Sequence, residues 1–342
     1  MNARVKYLLP ILLAVCVLLP SVSGCEPSGR RIAFFLYKGS DTFISEMMEY
    51  MTTIVPASVT FEVRDAGNSQ SVQNQQIIEL IDSGYDLFVI NAVDRLASRS
   101  LVERCTKEGI PIIFFNREPL DDALFGDKTF YVGPNAASQG EKQAEIVAGL
   151  FTDEFAGSKF DRNGDGVVQI VILKGEQGHQ DAEKRTDNCI SRLKELGFKT
   201  DILGIEVADW NRRDGYEAMR RLYIQYGDVI ELVFSNNDDM ALGAIDYLLE
   251  ERVFSTKRSV DRQPFVIVGV DGTAVGLEKV EEGLLYGTVN NDSIRQSDAV
   301  LKLVDYILND RNFGDFPYEI TNNHYIYVDT VDADIITQAN LK

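Results

Sequence analysis

The stretch "RIAFFLYKGSDTF", Arg31 to Phe43, decides the fold. From Ile32 to Tyr37 it is apolar throughout, polar residues follow, and a helical period begins at Asp41. A strand apolar at nearly every position suits a parallel sheet covered by helices on both faces. The unit recurs in "VTFEVRDA" before a helix from Ser71, "DLFVINAV" before a helix from Arg95, and "IPIIFFN". After "FYVGPN" it starts again. A helix over 136–151 leads to "VVQIVILKGE" and a helix from Asp181, then "KTDILGIEV" and a helix from Arg213. "IELVFSNN", a helix from Asp238 and "PFVIVGVDG" complete the second series.

Two such series predict an α/β protein of two Rossmann-like, doubly wound lobes. A length of 342 residues also exceeds what one compact core usually holds. Crossings are expected at "YVGPN", at "GTVNND" and around Tyr325 to Asp329, which makes a three-segment hinge. The N-terminal lobe is then 31–134 plus 291–326, with a helix from Ser293 to Leu308 returning to it. The C-terminal lobe is 135–290 plus 327–342.

The first residues point to export. Arg4 and Lys6 precede "YLLPILLAVCVLLP", and "VSGC" ends at Cys25, in the order of n-region, h-region and processing site. The run stops short of the roughly 20 apolar residues of a spanning helix. Residues 1–24 are therefore expected to be a lipoprotein signal peptide, with lipidation at Cys25 and 25–30 as a tether. The expected location is the periplasm, with the chain lipid-anchored to a bacterial membrane.

The whole chain carries 34 Lys+Arg against 53 Asp+Glu, a net charge of −19, and loss of Arg4 and Lys6 brings it to −21. Such acidity disfavours nucleic acid as a partner. Cys105 and Cys189 remain in the folded body, within amphipathic helical patterns where a buried thiol is the ordinary explanation.

Ligands of open α/β sheets bind beyond the carboxyl ends of the strands. The residues there are notably polar: Tyr37-Lys38, Asp41, Asn91, Asp94 and "NREP" from Asn116, then "KGEQGHQDAEKR" at 174–185, "ADWNRR", "SNNDD" and Asp271. Carboxylates, amides, an arginine and aromatic faces suit a small, neutral, many-hydroxyl ligand. Asp41, Asp181 and Asp238 also precede helices, so each has helix capping as an alternative role. Separately, "DRNGDGVVQ", Asp161 to Gln169, begins like a calcium loop, but its twelfth position is Ile172 where a bidentate Glu belongs.

Over nearly the whole mature chain the sequence resembles the bacterial periplasmic galactose/glucose-binding proteins, type I periplasmic binding proteins that serve sugar ABC transporters. The segments that carry the likeness are "LYKGSDTF", "VINAVD", "FFNREP", "DRNGDGVVQ", "LKGEQGHQDAEKRT", "SNNDDMALGA", "GVDG" and "GTVNND". The resemblance implies sugar contacts at Asp41, Phe43, Asn116 and Asn291 on one side, and at His179, Asp181, Arg185, Trp210, Asn237 and Asp271 on the other. It implies that Phe43 and Trp210 sandwich a pyranose, with Tyr37 nearby. It also implies a Ca2+ held by Asp161, Asn163, Asp165, the Val167 carbonyl, Gln169 and a distant Glu231.

The expected function is a lipid-anchored, monomeric, non-enzymatic receptor for D-glucose and/or D-galactose. It would deliver the sugar to an ABC permease of the inner membrane, with a chemoreceptor as a further candidate partner. Other monosaccharides such as ribose, a calcium-dependent adhesin and a glycoside hydrolase stand as alternatives. Against the hydrolase, Asp181 and Asp271 are both expected near Arg185, which lowers carboxylate pKa and works against a proton donor.

Overall fold

The computed structural model describes residues 29–56, 59–150, 159–256, 263–328 and 335–341. The expected signal peptide, Cys25 and most of the tether lie outside them. Among the described residues no helix is long and apolar enough to cross a membrane.

The chain folds into two six-stranded sheets. The first contains β1 (Arg30–Leu36), β2 (Val59–Asp65), β3 (Leu87–Ile90), β4 (Ile112–Phe115), β5 (Thr129–Gly133) and, much later, β11 (Tyr325–Tyr327). Their order is β11-β5-β4-β3-β1-β2, parallel throughout. The second contains β6 (Val168–Lys174), β7 (Thr200–Val207), β8 (Leu232–Ser235), β9 (Val266–Asp271), β10 (Gly287–Asn290) and β12 (Ile335–Thr337). Its order repeats the first, β12-β10-β9-β8-β6-β7, with only β12 antiparallel. In each sheet the strand order reverses beside the first strand, the switch point where such sheets open a crevice for ligands.

Alternation along the central strands explains why both faces are covered. Ile32 and Phe34 of β1 pack with Met47 and Met51 of α1 (Thr42–Ile54) and with Val300 and Leu303 of α9 (Ser293–Leu308). Ala33 and Phe35 face the other way, onto Ile77 of α2 (Gln70–Ile81) and Leu101 and Cys105 of α3 (Ser98–Lys107). In the second sheet Ile170 and Ile172 of β6 meet α4 (Ala136–Ala148) and Cys189 of α5 (Gln180–Glu195). Val171 and Leu173 meet α6 (Arg212–Tyr226) and α7 (Asp238–Glu250). Both cysteines are fully buried free thiols, and burial pushes Cys105 up to about 12.

Some boundaries differ from the sequence reading. A short 3-10 turn at Arg95–Ala97 precedes α3, and α8 (Ala274–Glu281) has no counterpart among the expected helices. The return to the second lobe, expected at 327, comes later. Tyr327 pairs with Gly133 in the first sheet, the Val328 amide donates to the Gly133 carbonyl, and the second sheet next receives the chain at Ile335. The run "YIYV" continues the strand because Ile326 and Val328 both enter the first core.

The strand-to-helix loops do two jobs. Asp41 caps α1 by accepting from the Ile44 amide, Asn211 caps α6, and Asn237 caps α7 by accepting from the Met240 amide. Because strands end and helices start in these loops, the caps stand at the carboxyl ends of the sheets, where the two lobes face each other.

Candidate functional site

A cavity lies between the lobes. The first lobe supplies Tyr37, Asp41, Phe43, Asn116 and Arg117. The second supplies His179, Asp181, Arg185, Trp210, Asn237 and Asp271. Nine of the ten residues expected at a ligand therefore share one cavity, although 230 positions separate Asp41 from Asp271.

Asn291 does not line it. Its Oδ1 accepts from Gln139 Nε2 at 2.8 Å and from Gln296 Nε2 at 2.9 Å, and its Nδ2 donates to Asp271 Oδ1 at 3.0 Å. Asn291 thus supports Asp271 from behind. Gln139, which the sequence reading missed, joins this layer by accepting from Arg185 Nε at 2.9 Å. Arg117 was missed as well, although it stands in the quoted "NREP". It packs 3.7 Å over the Tyr37 ring and donates to the Val93 carbonyl at 2.7 Å.

At the heart of the second-lobe wall, Arg185 is held by Gln139 and by the Asn236 carbonyl at 2.8 Å. Its ion-pair distances to Asp181 and Asp271 are 3.7 and 3.9 Å, too long for direct hydrogen bonds. Asp181 Oδ1 and Trp210 Nε1 are both buried without a hydrogen-bond partner in the protein. Buried polar atoms are ordinarily satisfied, so two unsatisfied ones on residues that line one cavity suit a ligand's hydroxyls.

Capping and cavity lining turn out to be compatible. Asp41 spends Oδ1 on the Ile44 amide at 3.0 Å while Tyr37 donates its hydroxyl to Oδ2. Asp181 is no cap, because His179 takes that position and its Nδ1 accepts from the Asp181 amide at 3.1 Å. Nε2 of His179 is then the protonated nitrogen and a donor. Desolvation, then the charges of Arg117, Arg185 and Arg95, push this imidazole well below its ordinary pKa, so it is neutral at neutral pH.

One expectation about the carboxylates fails. Arg185 does pull down both Asp181 and Asp271, but burial outweighs it and both are raised, Asp271 well above its ordinary value with help from Asp238 and Asp41. Proximity to arginine is therefore no argument against a proton donor here.

Trp210 owes its place to backbone features of its loop. Asp209 and Trp210 have positive φ, 44° and 65°, an uncommon conformation for such a bulky residue. A Cβ at Gly175 would overlap the indole, so the glycine of "KGE" makes the space that Trp210 fills. His179 closes edge-on against the same ring, with centroids 5.0 Å apart.

The lobes also touch directly. Thr42 donates to Asp239 at 2.6 Å, Arg95 to Gln180 at 2.6 Å and Arg117 to Glu176 at 2.8 Å. The cleft is thus closed, with contacts on both sides of the cavity.

The calcium-like loop is on the second lobe, away from the cavity. Glu231 is fully buried beside it, its Oε1 accepting from the Arg162 amide at 2.6 Å and its Oε2 from the Gln169 amide at 3.1 Å. Burial pushes its carboxyl up to about 7, the two amides opposing and the charges of Asp161 and Asp165 adding. Gln169 Oε1 is buried without a hydrogen-bond partner. The oxygen donors suit a hard cation in kind and number. Their spacing is that of a hydrogen-bonded loop: Asn163 and Gln169 donate to Asp165 at 3.0 and 2.9 Å. Among the described residues no group of three or more His, Cys, Asp or Glu stands ready for a metal.

Comparison with known proteins agrees with this geometry. The family model described as periplasmic binding protein domain matches residues 32–312. The D-galactose/methyl-galactoside binding periplasmic protein MglB of Haemophilus influenzae is 33% identical over 296 residues, 85% of each chain. A putative rhizopine-binding protein of Rhizobium meliloti is 28% identical, covering 87% of this chain and 90% of its own. Among solved structures, an ABC transporter solute binding protein from Bacillus halodurans with bound myo-inositol shares the fold with a TM-score of 0.73 at 24% identity. That match covers 92% of this chain and 96% of the other. The chain belongs to the periplasmic binding proteins, which capture solutes for ABC transporters and are not enzymes.

Proposed function

We propose that the protein is the sugar-binding component of an ABC transporter and takes D-galactose and/or D-glucose between its lobes. The observation that carries this reading is the pairing of unsatisfied Asp181 Oδ1 and Trp210 Nε1 with Arg185 and Asp271 in one closed cavity. A neutral polyol satisfies such groups without bringing a charge of its own. Phe43 and Trp210 offer apolar faces for the C–H sides of a pyranose, and Asp41, Asn116, Asn237 and Asp271 offer acceptors and donors for its hydroxyls. The relative named for D-galactose and methyl-galactoside supports the choice of hexose.

Binding is coupled to shape. A sugar held by both lobes favours the closed state by its differential affinity, and that state is what a permease would recognise. A lipid anchor at Cys25 would hold the receptor at a membrane in the periplasm, and a chemoreceptor is a further candidate partner. A Ca2+ on Asp161, Asn163, Asp165, the Val167 carbonyl, Gln169 and Glu231 would serve stability, since the loop stands apart from the cavity.

Calorimetry of the full chain with galactose, glucose, allose, ribose, xylitol and myo-inositol tests the reading. The expected result is one-to-one binding, tightest for galactose or glucose. Heat only with a pentose or a polyol would move the ligand within the family. No heat with any of them would overturn the sugar reading.

A further inference from the structure

Arg185, Gln139, Asn291 and Asp271, all buried and from separate stretches of the chain, form one hydrogen-bonded line. Arg185 Nε donates to Gln139 Oε1 at 2.9 Å, Gln139 Nε2 to Asn291 Oδ1 at 2.8 Å, and Asn291 Nδ2 to Asp271 Oδ1 at 3.0 Å. The first member fixes the direction. A guanidinium only donates, so the Gln139 oxygen must face Arg185 and its amide nitrogen must face Asn291. That nitrogen claims the Asn291 oxygen, which leaves the Asn291 nitrogen for Asp271. Gln296 enforces the same orientation, since its Nε2 donates to Asn291 Oδ1 at 2.9 Å and also to the Asn291 carbonyl. It keeps both bonds although its own Oε1 is buried without a hydrogen-bond partner.

The line lies where the chain passes between the lobes. Gln139 is in the first turn of α4, which begins just after the chain leaves β5 of the first sheet. Asn291 follows β10 of the second sheet, and Gln296 is in α9, which packs into the core of the first lobe. Asn291 thus accepts from a helix of each lobe while it donates to a residue that lines the cavity. We propose that Gln139 and Asn291 are positioning residues for sugar binding: from outside the cavity they fasten two passages between the lobes to each other and hold Arg185 and Asp271 as one unit. The proposal rests on the reading of the cavity as a sugar site. Arg185 and Asp271 stand 3.9 Å apart, too far for a direct hydrogen bond, so the two amides supply the link between them. Successive hydrogen bonds in a surrounding of low dielectric polarise one another, so the line is worth more than its separate bonds and is lost when any one of them breaks.

The test measures affinity for the hexose that binds tightest, by Trp210 fluorescence of the full chain, together with melting. The variants are Gln139→Met, Asn291→Ala, their combination and, as a control, Gln143→Met. Gln143 lies one turn further along α4, is also buried, and donates to the Ser235 carbonyl at 2.8 Å and the Val268 carbonyl at 3.3 Å. Gln139→Met and Asn291→Ala are each expected to weaken binding about tenfold or more, by leaving buried partners unsatisfied. The combination is expected to cost no more than about threefold beyond the worse single change, because a line already broken cannot be broken again. Gln143→Met is expected to lower Tm and leave affinity within about twofold. If Gln139→Met weakens binding no more than Gln143→Met does, the line is ordinary core hydrogen bonding and the proposal is wrong. That contrast decides alone should Asn291→Ala not fold. Effects that multiply in the combination would also overturn it, since independent contacts are additive in free energy. If no hexose binds the unaltered chain, the reading of the cavity falls and this proposal with it.

Discussion

Arg117 of the first lobe and Glu176 of the second form an ion pair at 2.8 Å between the lobes. The arginine is nearly buried, fixed by the Tyr37 ring and the Val93 carbonyl, while Glu176 is about one third exposed. The pair exists only when the lobes meet, so its energy belongs to the closed state. Solvent screening at the glutamate holds the contribution to about 1 kcal/mol. Glu176→Gln should therefore raise the sugar Kd roughly fivefold, mostly through faster dissociation, which stopped-flow release measures. An unchanged dissociation rate would mean the pair does not hold the cleft shut.

Trp210 is the sole tryptophan of the chain, so intrinsic fluorescence reports directly on the cavity. Its indole occupies the space where a Cβ of residue 175 would be. Gly175→Ala adds one methyl group but must push the ring off its position. Sugar affinity is expected to fall by about tenfold or more, with an altered emission maximum in the ligand-free protein. Melting should fall too, because Gly175, just past the end of β6, is buried against the indole and overpacking there costs about 1–3 kcal/mol. Wild-type affinity in this variant would show that the indole has room to spare.

The two-lobe fold was legible because apolar runs such as Ile32–Leu36 and Ile170–Leu173 are buried on both faces, and double burial leaves a continuous hydrophobic signature. The loops of the cavity were legible as polar stretches just past those runs, while the ten individual residues were implied by the family resemblance, and nine of them meet there. What escaped depends on direction and distance. Nothing in "GTVNND" tells that the Asn291 amide is consumed by Gln139, Gln296 and Asp271, nor that Gln139, in the first turn of α4, reaches Arg185. The net pKa of Asp181 and Asp271 escaped for a similar reason. A neighbouring charge can be guessed from spacing, but the depth of burial that overrides it cannot.

Asp238 is fully buried in the second lobe, close enough for its charge to act on Asp271. It accepts from Thr273, at the amide and the hydroxyl, and from Thr288. Burial pushes it up to about 7, the threonine hydrogen bonds pulling back and Asp239 adding to the rise. A carboxyl whose folded pKa is raised contributes stability that is fully present below its unfolded pKa of about 4 and lost as pH rises through about 7. Each unit of difference is about 1.4 kcal/mol, so the native state should lose a few kcal/mol from this group between those limits. Asp238→Asn should flatten that part of the profile. Urea unfolding at half-unit steps from pH 4 to 8 checks it, and parallel profiles for the two proteins would refute it.

Glu231 links the 161–169 loop to the segment before β8, its two oxygens held by the Arg162 and Gln169 amides. An ion bound there would fasten the loop to a strand about 60 residues further on, and binding to the native state alone stabilises by mass action. At free calcium one hundred times its Kd this is about 2.7 kcal/mol, or roughly 5 °C in Tm for a chain of this size. Chelation should lower Tm by that amount, added calcium should restore it, and magnesium at the same concentration should do less, since it demands a tighter octahedral shell. Glu231→Gln should remove the calcium response and leave hexose affinity within about twofold, because the loop does not line the cavity. A Tm indifferent to chelation would leave the loop's own hydrogen bonds and those to Glu231 as its support. A hexose affinity that collapsed with the metal would instead make the ion part of the binding machinery.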